Sequence, residues 1–404
     1  MQKIKDNYWK EFENLALNGQ ENLIHNIKLI LFKDDSEFFE YFDFHSEQLY
    51  LEPFLFSYLT TGSINHNIND LLWYYAINSK KVNLIKVCTD SYGYFYLPKI
   101  GYFISKKPKI AVSILFNDSC AIEKLSSHLE FENIRVLNDE FELITRHLEV
   151  LDNYFYDEND EDVYVNIEDI TQYHLKSLEN AIRLIQVTVP KFYNLLKTHV
   201  RTMVIFSDST LKRNSFASQS IHGCVFFNAF DKNYNEVFFI EDLAHQGAHV
   251  VFNAYLSSSP SIFRVNKEQL IYMKDVPDEY NEPRPLFIVL HAMYTYNCIF
   301  DSLSECLKQN IFKSEPSKEH EVLGRLAYTA AKFNTDYYLL LDKDDKGQNK
   351  LLTIEGEQLL NSFFQTYKKV LNCYSQQIKA SNLSEQPYNF SYQIFLKHNP
   401  LKNA

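Results

Sequence analysis

Glycine is scarce in this chain: 9 residues of 404, where ~7% is typical. Backbone conformations that only glycine takes readily are therefore few. That disfavours dinucleotide-binding folds with a glycine fingerprint and barrels built from many hairpins. Positive charge is also in deficit, with 40 Lys and Arg against 52 Asp and Glu and a formal charge of −12. A general nucleic-acid binder needs a basic surface to displace counterions, so no nucleic-acid partner is expected. The six cysteines, Cys88, Cys120, Cys224, Cys298, Cys306 and Cys373, are scattered without a C-x-x-C pair. They read as buried thiols in a reducing compartment, not as a disulfide framework or a zinc knuckle. No apolar run approaches the ~18–20 residues of a membrane span. The opening residues, Met1 to Lys10, lack the apolar core and small-residue cleavage site of a signal peptide. A cytoplasmic protein without a membrane partner is the expectation. The nucleophile elbow G-x-S-x-G, the Walker loop, G-x-G-x-x-G and the kinase signature are absent as well.

Aromatic residues are abundant, at 15% with 32 Phe and 28 Tyr, far too many for a disordered chain. The length suffices for one large core or two moderate ones. The composition and periodicity predict an α+β fold, predominantly helical, with long helices in the C-terminal half. Residues 152–169 carry eight carboxylates and no Lys or Arg, a run that reads as a self-repelling, solvated linker. It lacks the glycine that an EF-hand loop requires. The chain is accordingly expected to comprise a mixed α/β region over 1–151, the acidic linker over 152–169 and a helical, metal-binding catalytic domain over 170–404.

In the first region, 6–17 and 71–88 read as helices, while 102–105 and 110–116 have β-type compositions. After the linker, helices are predicted over 176–186 and 191–199, the second opened by Pro190. Buried strands follow at 202–206 and 224–230. Further helices are predicted over 236–256, from Pro283 and Pro285 to about 308, over 316–341, and over 354–378 with Thr353 as N-cap.

One constellation carries chemistry. The sequence Glu241-Asp242-Leu243-Ala244-His245-Gln246-Gly247-Ala248-His249 lies inside the predicted 236–256 helix. Residues four apart share a helical face, so His245 and His249 can offer both imidazoles to one metal ion, with Glu241 one turn earlier on the same stripe. The helix is apolar on nearly every side and should be buried, so two imidazoles on it need partners. Spacing alone is weak: with 13 histidines, chance gives roughly 0.4 such pairs per chain. Core histidines bonded to carboxylates such as Glu241 are the competing reading. A zinc metalloprotease has Glu after the first histidine as the base for metal-bound water. Here that residue is Gln246, whose amide cannot take the proton. Peptide hydrolysis is therefore disfavoured, and chemistry needing only open metal positions is favoured. No side chain is assigned an acid–base role. The third ligand is either His291, two turns into the next long helix, or Glu305 on nearly the same face. Glu305 lies about 21 Å further along the axis.

Three segments together resemble the HExxH-type iron- and 2-oxoglutarate-dependent peptide β-hydroxylases, which occur with ribosomally made, modified peptides. They are the helix around His245 and His249, Pro283-Arg284-Pro285-Leu286 leading into the His291 helix, and Leu352-Thr353-Ile354-Glu355-Gly356 opening the last long helix. The resemblance covers roughly residues 200–365 and departs from the family at Gln246, where the motif has Glu. It implies iron(II) held by three protein groups, chelated by 2-oxoglutarate and open to dioxygen, hydroxylating a side-chain carbon of a precursor peptide. Gln246 and Glu241 would then support the ligands from behind. A guanidinium would bind the distal carboxylate of 2-oxoglutarate; Arg284 is the first choice, with Arg264 and Arg325 as alternatives. Asp208, Ser209 and Asn228, at the ends of the two strands, and Lys80, Lys81, Lys106, Lys107 and Lys109 are candidates for peptide contacts. The rival reading is a zincin-like metallohydrolase relative, inactive as a protease because of Gln246.

Overall fold

Short runs of Phe, Tyr, Ile and Val between 84 and 144 form strands, and the long periodic stretches after 168 form helices. In this computed structural model the described residues are all except 1, 35–36, 63–66, 77–82, 118–121, 158, 160, 209–211, 273–282 and 402–404. Among them the fold is mixed α+β and helix-rich, about 53% helical. The contacts divide the chain into two units, one comprising 1–19, 180–196 and 234–404, the other 20–179 and 197–233. This division does not follow the boundaries expected at 151 and 170.

The helix α1 (Gln2–Asp34) is far longer than the stretch predicted at 6–17. In the second unit its later part buries Ile24, Ile27 and Leu31 against the short helices α2 (Phe38–Tyr41), α3 (Glu47–Tyr50), α4 (Pro53–Thr61) and α5 (Ile68–Leu71). No long helix covers 71–88 among the described residues. A 3-10 turn over Trp73–Tyr75 is followed, beyond 77–82, by strand β1 (Leu84–Cys88). Lys80 and Lys81 lie outside the described residues.

Two small antiparallel sheets follow, β1-β4-β5 and β2-β3-β6. Their strands are β2 (Tyr94–Leu97), β3 (Gly101–Ser105), β4 (Ala111–Phe116), β5 (Ile122–Leu125) and β6 (Leu129–Asn133). Trp73, Ile85, Phe95, Phe103, Ile114 and Phe116 form their shared core. The strands β7 (Arg135–Leu137), β8 (Phe141–Ile144), β9 (Thr202–Phe206), β10 (Phe216–Ala217) and β11 (Cys224–Asn228) make a five-stranded sheet in the order β10-β11-β9-β8-β7. β9 runs parallel to both neighbours. The strands predicted at 202–206 and 224–230 thus sit in the unit without the histidine helix.

The acidic run is not a solvated linker. Leu151, Tyr154, Phe155, Val163, Val165 and Ile167 are buried beneath the five-stranded sheet's core residues Val204, Phe206 and Phe226. Asp157 accepts the N–H groups of Asn159 and Glu161 at 2.8 and 3.1 Å and pairs with Lys212 at 3.2 Å. Apolar residues spaced along the run supply enough buried surface to outweigh the repulsion of its carboxylates, of which Glu161, Asp162 and Asp169 are exposed.

The first unit is built from helices: part of α6 (Glu168–Thr188), most of α7 (Pro190–His199), α8 (Glu236–Ser257), α9 (Leu286–Lys308), α10 (Pro316–Leu339), α11 (Ile354–Ala380) and α12 (Tyr392–His398), with the ribbon of β12 (Leu270–Ile271) and β13 (Arg284–Pro285). Leu243, Val251, Leu290, Tyr294, Phe300, Phe333 and Leu359 are all fully buried. Phe12 of α1 stacks on Tyr255 with centroids 4.6 Å apart. By length and composition α9 could cross a membrane, but 78% of its apolar stretch is buried inside the unit. Packing accounts for its apolarity.

Thr353 caps α11 as predicted, accepting the Gly356 N–H at 3.1 Å, and its hydroxyl donates to the Ser261 carbonyl at 2.6 Å. A Cβ on Gly356 would meet the Ile262 carbonyl oxygen at 2.2 Å. The Leu-Thr-x-x-Gly element therefore clamps the 261–262 backbone onto the helix start, a structural task.

Candidate metal centre

Helix α8 begins at Asn235, whose side chain accepts the Val237 N–H at 2.7 Å. Inside its ends, every residue is buried except Glu241, His245 and His249. These three, each four residues after the last, form a single solvent-touching line on a core helix. Between the histidines, Gly247 lets α7 approach: a Cβ there would lie 2.2 Å from Leu196 Cδ2.

The third imidazole arrives from α9. His291 is buried, with its ring 4.4 Å from that of His249, and Nδ1 of His249 lies 2.9 Å from Nε2 of His291. The rings of His245 and His249 are 4.9 Å apart. Phe252 covers His291 from the far side at 4.9 Å. Burial lowers the pKa of all three, to about 4 for His249. For His245 and His291 the neighbouring imidazoles add to the effect, and at His245 so does the charge of Lys332. The cluster is thus neutral at pH 7, the state in which imidazole nitrogen can ligate a metal. His249 and His291 share a hydrogen bond, and among the described residues no three His, Cys, Asp or Glu side chains are arranged to hold a metal ion.

The other candidates are distributed as follows. Glu305 pairs with Lys308 at 2.8 Å, fourteen residues along α9 from His291. Of the two alternatives for a third group, His291 is the one beside the pair. Gln246 is buried and donates to Asp242 Oδ1 at 3.0 Å, one turn back along α8, with its Oε1 unpartnered. Glu241 is held by Arg325, which also donates to Glu321 at 2.7 and 2.9 Å. Arg284 is paired with the buried Asp336, which also accepts the Tyr296 hydroxyl at 3.1 Å. Arg264 donates to the Leu352 carbonyl at 3.0 Å. All three guanidiniums proposed for a ligand carboxylate therefore already have partners within the protein.

Neither protein-family models nor curated proteins match the chain. The likeness to the peptide β-hydroxylases stands on the three quoted segments alone.

In the second unit the Asp208 N–H donates to Asn228 Oδ1 at 3.1 Å, and Asn228 Nδ2 donates to the Arg213 carbonyl at 2.7 Å. Ser209 lies outside the described residues. Lys106 and Lys107 are exposed, and Lys109 is 3.9 Å from Glu149. A buried polar cluster that the sequence did not signal joins Glu52 to the Tyr75 hydroxyl at 2.8 Å and Glu142 to the Tyr96 hydroxyl at 2.9 Å. Burial, reinforced by Glu142, raises the Glu52 pKa to about 7. Sequence reasoning also missed Lys332, the cation whose charge acts on His245. Its distance in sequence from both histidine helices hid it.

Proposed function

We propose that the chain is a non-haem iron(II) and 2-oxoglutarate-dependent oxygenase that hydroxylates a side-chain carbon of a peptide, in the maturation of a ribosomally made peptide. The observation that carries this reading is the gathering of His245, His249 and His291, kept neutral by burial, at the one solvent-touching line of α8. The donor set suits a divalent first-row metal. Two nitrogens each ~2.0–2.1 Å from one ion stand 2.9 Å apart when they subtend about 90° there, and 2.9 Å is the separation of His249 Nδ1 and His291 Nε2. A metal would replace the shared proton of that hydrogen bond.

When bound by His245, His249 and His291, iron(II) with 2-oxoglutarate and dioxygen would supply the oxidation, one oxygen atom going to the substrate carbon and the other to succinate, with release of carbon dioxide. The chain's own residues do the holding. The apolar shell of α8 and α9 keeps the imidazoles unprotonated, Phe252 fixes the His291 ring, and Arg325 fixes Glu241 beside His245. Gln246 points away to Asp242, so a hydrolytic base is missing from the place where a zincin needs one. That argues against the metallohydrolase rival.

The test is incubation of the iron-loaded protein with 2-oxoglutarate, dioxygen and candidate peptides. Succinate with a product heavier by one oxygen atom is expected. A metal-loaded protein that turns over no 2-oxoglutarate with or without peptide would contradict the proposal. One observation favours a second reading, in which the histidines are core groups: the hydrogen bond between His249 and His291 satisfies both without any metal. It predicts no metal uptake at all.

A further inference from the structure

The later part of α1 is apolar on more than its core side. Ile24, Ile27 and Leu31 face the core of the second unit. Leu29 and Phe32, one turn apart on another flank, are 45 and 64% exposed. Phe32 opens a ridge of rings along the surface of that unit. Its centroid is 6.4 Å from that of Phe39 on α2, and Phe39 is 5.5 Å from Phe44, which is 48% exposed. Apolar side chains exposed singly are ordinary, whereas rings touching one another in water mark a contact surface. The ammonium of Lys28 lies over the Phe44 ring at 4.1 Å and over Tyr50 at 4.7 Å, so these rings accept cations as well as apolar groups.

The border of the ridge is acidic. Asp34, Glu37, Glu40, Asp43 and Glu47 are all exposed, each within three residues of Phe32, Phe39 or Phe44. Against these five carboxylates the described residues of 32–47 have one lysine, Lys33. This combination decides between occupants. An anionic bilayer or a nucleic acid would meet the carboxylates with like charge. A second copy docked by the same face would set the acidic border against itself. An apolar stripe edged with Lys and Arg matches both the rings and their border.

We propose that the Phe32–Phe39–Phe44 ridge docks a cationic amphipathic helix of another protein. The apolar side chains of that helix lie on the rings, and its Lys or Arg side chains lie on the acidic border. The surface belongs wholly to the second unit and does not rest on the oxygenase reading.

The test uses the full chain and a labelled peptide about four helical turns long, with Leu on one face and Lys on the other. Fluorescence anisotropy should show saturable binding that weakens with added salt. A counterpart with Glu in place of Lys should bind at least about tenfold more weakly. Phe32→Ser/Phe44→Ser should weaken binding of the Lys peptide about tenfold or more, the size of a loss at a contact hot spot. Its thermal midpoint should stay near that of wild type, because both rings are largely exposed. Asp34→Asn/Glu47→Gln should weaken binding less and flatten its salt dependence. Equal affinity of wild type and the Phe variant overturns the proposal, since the peptide then adsorbs to the net charge of −12 alone. No binding of the Lys peptide, or equal binding of both peptides, overturns it too. Anionic vesicles or a second copy held by wild type and released by the Phe variant would overturn the cationic helix in favour of that occupant.

Discussion

Replacing Arg325 by methionine removes the cation between two carboxylates in the interior of the helical unit. Arg325 and Glu321 are 2 and 3% exposed at their side chains, and Glu241 is 15% exposed. Without the guanidinium, Glu321 keeps only the Asn235 amide at 2.8 Å. An ionised carboxylate left in that position costs several kcal/mol, and breaking a buried pair in this way typically costs ~3–5 kcal/mol. Methionine fills a similar volume, so lost packing is a minor part. Urea denaturation at pH 7.5 reads the loss, and Arg325→Met/Glu321→Gln should recover most of it. A deficit under ~1 kcal/mol, the size of an exposed pair, or no recovery in the double variant would refute the reasoning.

Two further perturbations test other parts of the structure. Burial raises the folded pKa of Glu52 to about 7 from its ordinary value near 4.5, so the protonated form favours the fold and stability is lost as the pH rises from about 4.5 through 7. The loss approaches ~3 kcal/mol at 1.36 kcal/mol per unit. Glu52→Gln should flatten this slope in denaturation curves from pH 5 to 8, and a variant with the wild-type slope would contradict it. Gly247→Val forces a side chain into Leu196, 2.2 Å from the Cβ position. It should cost ~1–3 kcal/mol, partly relieved by Leu196→Ala in the same chain; a stability equal to wild type would show that the close approach of α7 to α8 is not required.

The long helices were legible in the sequence because their periodicity is strong and their ends carry stop and cap residues. Ser257 to Pro260 end α8, and Thr353 begins α11. The strands of 84–144 were mostly hidden. They are three to six residues long, too short for alternation to stand out, and residues 71–88 have helical spacing that tertiary pairing of β1 with β4 overrides. In the acidic run, charge count masked Phe155, Val163, Val165 and Ile167, whose burial decides its place.

At the candidate site, spacing alone put Glu241, His245 and His249 on one line, because a helix fixes which residues share a face. What could not be read was everything contributed by α10. Asp336 takes Arg284 from 52 residues away, Arg325 takes Glu241 from 84, and the charge of Lys332 acts on His245 from another helix. Partner choice among charged side chains is a property of packing, and no local pattern encodes it.

The most direct test is metal content after anaerobic loading with iron(II) and desalting, for wild type and for His245→Ala. One iron per chain is expected in wild type, with loss of it in the variant and a weak visible absorption on addition of 2-oxoglutarate to wild type only. Absence of stoichiometric iron from wild type, with His245→Ala merely less stable, would contradict that expectation and return the three imidazoles to the core.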